Sequence, residues 1–186
     1  MARLRSEAMK CNKRADMTHR MNRLTRKRNN RIRDRIHKIT RYLADLAVRK
    51  GVILVILGHN RMQKQHAHMG KVSNQNFVQL PFCMLEEQLA YKLREKGIAF
   101  LVTEEAYTSK ADFLAMDPLP EYREGQTIRL SGLREKRGRY RHYDGSYSNA
   151  DINGAANILR KVFPNIPKDG WNRGLLDSPY ECRIPV

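Results

Sequence analysis

Between positions 32 and 46 the apolar residues Ile32, Ile36, Ile39, Leu43 and Leu46 recur at the three- and four-residue spacing of one helical face. Arg31, Arg35, Lys38 and Arg41 point largely elsewhere, so the spacing predicts a helix that packs on one side and meets solvent or phosphate on the other. Gly51 ends it. Val52 to Leu57 are then all apolar and rich in β-branched side chains, the composition of a central strand covered on both faces. After a polar loop, Gly58 to Asn76, the residues Phe82, Leu85, Leu89 and Leu93 return to helical spacing; Gly97 stops that helix and Ile98 to Thr103 form a second apolar strand. The order strand, helix, strand predicts parallel neighbours joined by a right-handed crossover. Residues 111–148 carry Pro118, Pro120, Gly125, Gly132, Gly138 and Gly145 among short polar runs, and predict an irregular excursion with two short strands. Ala155, Ile158, Leu159 and Val162 mark a last helix from Asn153 onward, closed by Pro164. The chain therefore divides into a helical arm (1–50), an α/β domain (51–163) and a tail (164–186) with no clear periodicity.

Charge changes this picture most. Of the 186 residues, 36 are Lys or Arg and 19 are Asp or Glu, a formal charge of +17. The first 50 residues hold 17 of the cations and only 4 acids, and none of the acids lies between Arg20 and Arg33. An ordinary solvated helix mixes signs; this imbalance favours a polyanion, with Arg23, Arg26, Lys27, Arg28, Arg31, Arg35, His37, Lys38 and Arg41 as candidate phosphate contacts. The longest apolar stretch, six residues, is far short of the ~20 that cross a bilayer, and residues 1–10 lack the apolar centre of a secretory signal. Three widely separated cysteines, Cys11, Cys83 and Cys182, give neither a disulfide framework nor a zinc knuckle. An intracellular, cytoplasmic and nucleoid-associated protein is expected, with no membrane partner.

Open α/β sheets place their sites at the carboxyl ends of strands. Glu104 and Glu105 end the second strand, and Asp151 lies in the run Asn149-Ala-Asp-Ile-Asn-Gly-Ala-Ala-Asn-Ile158 that leads the last helix. A carboxylate there suits a hard divalent cation, and it equally suits a helix cap; spacing alone leaves both open. His59, His66 and His68 form either a metal site lacking a fourth ligand or a polar loop. Tyr140, Tyr143 and Tyr147 alternate with Arg137, Arg139 and Arg141, which suits stacking on bases or a half-buried hairpin. Ser109 has no adjacent base in sequence that would make it a nucleophile.

The order of these motifs resembles a known family. Arg23-Leu-Thr-Arg-Lys-Arg-Asn-Asn-Arg-Ile-Arg-Asp34, His37-Lys38, Asn76-Phe77-Val78, Tyr107-Thr-Ser-Lys110, Arg137-Gly138 and the run from Asn149 to Ile158 look like the carboxy-terminal half of OrfB/TnpB insertion-sequence proteins, relatives of type V CRISPR effectors, over about residues 20–163. The resemblance implies a partial RNase H-like, RuvC-type domain behind a basic helical arm, in a transposition-associated protein that binds DNA and guide RNA. It implies a two-metal endonuclease site using Mg²⁺ or Mn²⁺ held by three carboxylates. Asp151 matches the third carboxylate. The second commonly ends the strand equivalent to Val52–Leu57, where this chain reads Gly58-His59-Asn60; some relatives move it to the next strand, which points to Glu105, with its neighbour Glu104 the other candidate, since only one of the pair can aim at the metals and both can equally be solvated strand-end charges. Asp151 and Glu105 are thus the expected metal ligands. The first carboxylate is expected upstream, on an amino-terminal fragment or a second chain, so that this chain alone cuts poorly or not at all. The alternative is a nuclease-inactive nucleic-acid-binding remnant or regulator. Thr108, Ser109 and Lys110 are expected beside the site, against the nucleic-acid strand, with Arg137 and Arg139. The family often carries two Cys-x-x-Cys pairs after the Thr-Ser-Lys motif; Ala111 to Arg137 has no cysteine, so no zinc is expected and 111–148 stands in place of the zinc ribbon.

Overall fold

The computed structural model describes residues 18–59, 81–123 and 125–166. Thr18 opens the first helix, α1 (His19–Arg49), by accepting the Met21 amide on its hydroxyl at 3.2 Å. Thirty-one residues make a rod of about 46 Å. Its buried stripe over the sheet is Ile36, Thr40, Ala44 and Ala47, whereas Leu43 is 39% exposed. The predicted stripe is therefore rotated by about one position. The reason is packing: small residues at the centre let α1 approach α2 (Phe82–Glu95) closely, and the larger Ile39 and Leu46 flank the seam, half-buried. Ala44 and Ala47 meet Leu89, Leu93 and Ile98 in one core cluster, joined by Val52, Val55 and Phe100. Gly51 and Gly97 take φ of +64° and +71°, the left-handed conformation that ends each helix and that a β-carbon would strain.

Strands β1 (Leu54–Gly58) and β2 (Ala99–Thr103) pair in parallel, Leu54 opposite Ala99 through Gly58 opposite Thr103, as the strand-helix-strand order predicts. Alternation then sorts the side chains. Val55 and Phe100 face α1 and α2; Leu54 and Ile56, one residue out of phase, line a groove of about 560 Å³ with Ile158 and Leu159 of α3 (Ala150–Val162). Both faces are covered, but incompletely: every residue of β1 is only half-buried, and Ile53 just before it is 83% exposed. The expectation of a central strand is corrected, because among the described residues β1 has a neighbour on one edge only.

The excursion holds three short antiparallel strands rather than two, β3 (Leu133–Lys136), β4 (Arg139–Arg141) and β5 (Tyr147–Ser148), in the order β3-β4-β5. The last helix begins at Ala150, three residues before its apolar periodicity, because the Asn149 side chain accepts the amides of Asp151 and Ile152. The described residues form a mixed α/β architecture with two small sheets. No helix among the described residues is long and apolar enough to cross a membrane.

Candidate nucleic-acid and metal site

Helix α3 is anchored by its asparagines. Asn153 donates to the Ala111 carbonyl at 2.8 Å and accepts the Phe113 amide at 3.1 Å; Asn157 donates to the carbonyls of Thr108 and Ala111. Both side chains are fully buried. These contacts hold the first turns of α3 against the loop that follows β2, beyond the carboxyl ends of the parallel strands, while Ile158 reaches back to Gly58. Three asparagines of the Asn149–Ile158 run thus have structural work: one caps and two staple. That leaves Asp151 outside the structural set, in the first turn, with its side chain 74% exposed. The cap is Asn149, so the capping role that spacing left open for Asp151 is corrected. Its carboxylate accepts from Arg134 Nη2 at 3.0 Å, a partner on β3 that no sequence spacing signalled.

The adjacent acids diverge. Glu104 accepts the Ala106 amide at 2.9 Å and the Lys161 ammonium, which turns it toward the second half of α3. Glu105 lies instead under the end of β1, where a β-carbon placed on Gly58 would stand 3.1 Å from its Oε2. The carboxylate of Glu105 therefore fills the space that the missing side chain at position 58 leaves open. Asp151 and Ile158 are seven residues apart, on one helical face, with a rise of about 10 Å between them. Glu105 therefore stands beside the Ile158 end of this face, and Asp151 about two turns away along the helix. Two hard oxygen donors are of the right type for a divalent cation. Among the described residues, however, no group of three His, Cys, Asp or Glu side chains converges to hold one. The described donors alone do not complete a metal centre, and no chemical step follows from them.

Where the excursion meets α3 lies a buried polar network. Asp112 accepts from His142 Nδ1 at 2.7 Å and from the amides of Leu114, Ala115 and Tyr143; His142 Nε2 is 2.7 Å from the Ser148 hydroxyl. Burial opposes the Asp112 charge, yet the His142 and amide hydrogen bonds outweigh it and hold its carboxyl below the usual range. Asp117 accepts the Asp112 amide and both the amide and hydroxyl of Ser131. Asp112, His142 and Ser148 have the order of a hydrolytic triad, but all three are buried, which leaves no approach for a substrate. They bind the three-stranded sheet to the loop at 111–117.

Of the predicted nucleic-acid contacts, Arg23, Arg26, Lys27, Arg31, Arg35 and Arg41 are exposed along α1. Arg23, Arg26, Lys27 and Arg31 share a cleft with Asn30 and Asp34. The first turn holds no acid, so the positive end of the helix dipole adds to their field. Arg28 donates to Asn29, and Lys38 pairs with Asp34 at 3.2 Å. His37 is exposed, and its carbonyl accepts from the buried Lys92 at 2.9 Å, while Lys92 also donates to Thr40 Oγ1. Lys92 carries a lowered pKa through burial first and repulsion from Arg41 second; a lysine on the apolar side of α2 is a residue that sequence reasoning missed. Thr108 turns its side chain inward. It is buried and its hydroxyl donates to the Glu105 carbonyl at 2.8 Å, whereas Ser109 and Lys110 are exposed. Arg137 and Arg139 are exposed, and Arg139 lies 3.8 Å over the Tyr147 ring. Tyr140, by contrast, is fully buried and donates to the Lys110 carbonyl; burial raises its pKa, with Asp112 and Asp117 adding to the effect. The tyrosines thus split between the two faces of the hairpin. His59 meets Glu86 at 3.3 Å and stacks on Phe82, while His66 and His68 lie outside the described residues.

Residues 82–158 match the family model described as Cas12f1-like, TNB domain. No curated protein matches the chain. Among solved structures it is similar to the Cas12f1 chain of a Cas12f1-sgRNA-target DNA complex, with a TM-score of 0.52 and 16% identity, over 82% of this chain and 40% of that one. At that identity the likeness is one of fold, and the chain spans well under half of the Cas12f1 length. The chain thus carries a segment similar to the Cas12f1-like TNB domain within a fold similar to that of Cas12f1.

Proposed function

We propose that the chain binds DNA and guide RNA and contributes part of a RuvC-like, two-metal endonuclease site in a transposition-associated TnpB-like system. The observation that carries this reading lies at the end of the parallel strands: Gly58 has no side chain and the Glu105 carboxylate, two residues past β2, stands beside it, next to Ile158 of the helix whose first turn carries Asp151. In an RNase H-like site Mg²⁺ or Mn²⁺ supplies the activated water and steadies the leaving oxygen. Glu105 and Asp151 would be ligands, and the remaining donor would come from an amino-terminal fragment or second chain lying along the open edge of β1. Arg134 neutralises Asp151 while no cation does so. Lys and Arg on α1 hold the polyanion, and Ser109 and Lys110 border the site.

The absence of a converging set of three donors among the described residues favours a second reading, a nuclease-inactive binding module. Incubating the purified chain with Mg²⁺, guide RNA and target DNA, with and without an added amino-terminal fragment, separates the two. Cleavage only with the fragment, abolished by Asp151→Ala, supports the nuclease half. Binding without cleavage in both arms supports the module.

A further inference from the structure

A cleft of about 610 Å³ opens between the carboxyl end of β2, the second half of α3 and residues 119–122, a volume ordinary for a small-molecule site. Its charged groups balance, Glu104 and Glu121 against Arg160 and Lys161, on a chain whose formal charge is +17. A phosphate gains far more on α1 than here, so the cleft selects something uncharged. Its other walls are flat and apolar. Leu119 and Pro164 face it, and the Tyr122 ring, 63% exposed, is backed by Tyr107 at 6.4 Å and 30°. Polar groups stand beside these surfaces as neighbours of opposite character, the Glu104 carboxylate accepting and the Lys161 ammonium donating. Arg160 is 8% exposed; its Nη1 and Nη2 donate to Asn157 and to the Asp117 carbonyl. Its Nε is buried and, among the described residues, has no hydrogen-bond partner.

We propose that this cleft takes an unstacked nucleobase from a single-stranded stretch of the bound nucleic acid. A base is flat, uncharged and edged with adjacent donors and acceptors, which matches an aromatic wall beside a paired acid and base. The inference rests on the nucleic-acid binding proposed above, and it adds that recognition reaches past the sugar-phosphate backbone.

The test compares the full chain with its Tyr122→Ala and Tyr122→Phe variants at one fixed salt concentration. The probes are 15-nucleotide single strands of DNA and of RNA, and an abasic sugar-phosphate strand of equal length. Tyr122→Ala is expected to weaken binding of base-bearing strands by about five- to a hundredfold, as alanine replacement of a stacking aromatic does, and to leave the abasic strand unchanged; Tyr122→Phe stays near the parent. Whether the DNA or the RNA arm shows the loss names the strand. Photo-crosslinking of a 5-iodouracil strand gives an independent readout, expected on the peptide containing Tyr122. Equal loss on base-bearing and abasic strands, no loss on either, or crosslinks confined to Tyr143 and Tyr147 overturns the cleft while leaving the binding function standing. A chain that binds no strand overturns both.

Discussion

Position 58 is tight because two side chains lean over a glycine: a β-carbon there would stand 2.6 Å from Ile158 Cδ1 and 3.1 Å from Glu105 Oε2. Gly58→Ala is therefore expected to cost about 1 kcal/mol in urea unfolding. Ile158→Val removes Cδ1, so the double variant should recover most of that loss; strict additivity of the two changes would show that they do not touch. Asp112 gives the pH dependence. Its folded pKa lies below the ordinary carboxyl value, so its contribution is complete above about pH 4 to 5 and is lost as pH falls through the ordinary value toward the folded one. Unfolding midpoints measured between pH 3 and 6 should fall with acidification. Asp112→Asn should lower stability at neutral pH by about 3 kcal/mol, by leaving His142 and three amides poorly matched, and should flatten the acid dependence.

Among the elements, α1 has two duties that a truncation would confuse. Its apolar stripe builds the core with Leu89 and Leu93, so removing residues 1–50 would damage the fold as well as the charge. Substituting the exposed Arg23, Arg26 and Arg31 by Gln tests the charge alone. The slope of log K against log salt should shrink by roughly 2 to 3, about 0.7 to 0.9 per lost phosphate contact, with melting unchanged. An unchanged slope would remove α1 from the interface. Local periodicity made α1, α2, β1 and β2 readable, since each repeats a pattern within a few residues. The three-stranded sheet was less readable because its order comes from partners far apart in sequence: Asp112 with His142 and Tyr143, Tyr140 with Lys110, Asp117 with Ser131. Gly132 shows how close that packing is. An added β-carbon would lie 2.5 Å from the Tyr140 hydroxyl and 2.9 Å from the Arg141 carbonyl, so Gly132→Ala should lower the melting temperature strongly. Lys92 gave no signal in the sequence for another reason: a basic residue on a helix reads as solvated, and the carbonyl of His37 and the hydroxyl of Thr40 make its burial tolerable.

For the whole molecule, the residue types of the run from Asn149 to Ile158 did not separate structural duty from any other until the contacts of Asn153 and Asn157 were in view. The side-chain directions of Glu104 and Glu105 were equally hidden, because alternation says only that neighbours differ. A strand added along the edge of β1 that is unpaired among the described residues should stabilise the sheet. Adding an amino-terminal fragment is expected to raise the melting temperature and protect the amides of β1 from hydrogen exchange, and absence of both effects would argue against sheet completion.

Glycine at 58 and glutamate at 105 occupy one volume between them, and that makes the two positions heirs to a single choice. A lineage that placed an acid at the first would crowd the second and be driven to shorten it, so the pair should drift in step among descendants while the surrounding strands change independently.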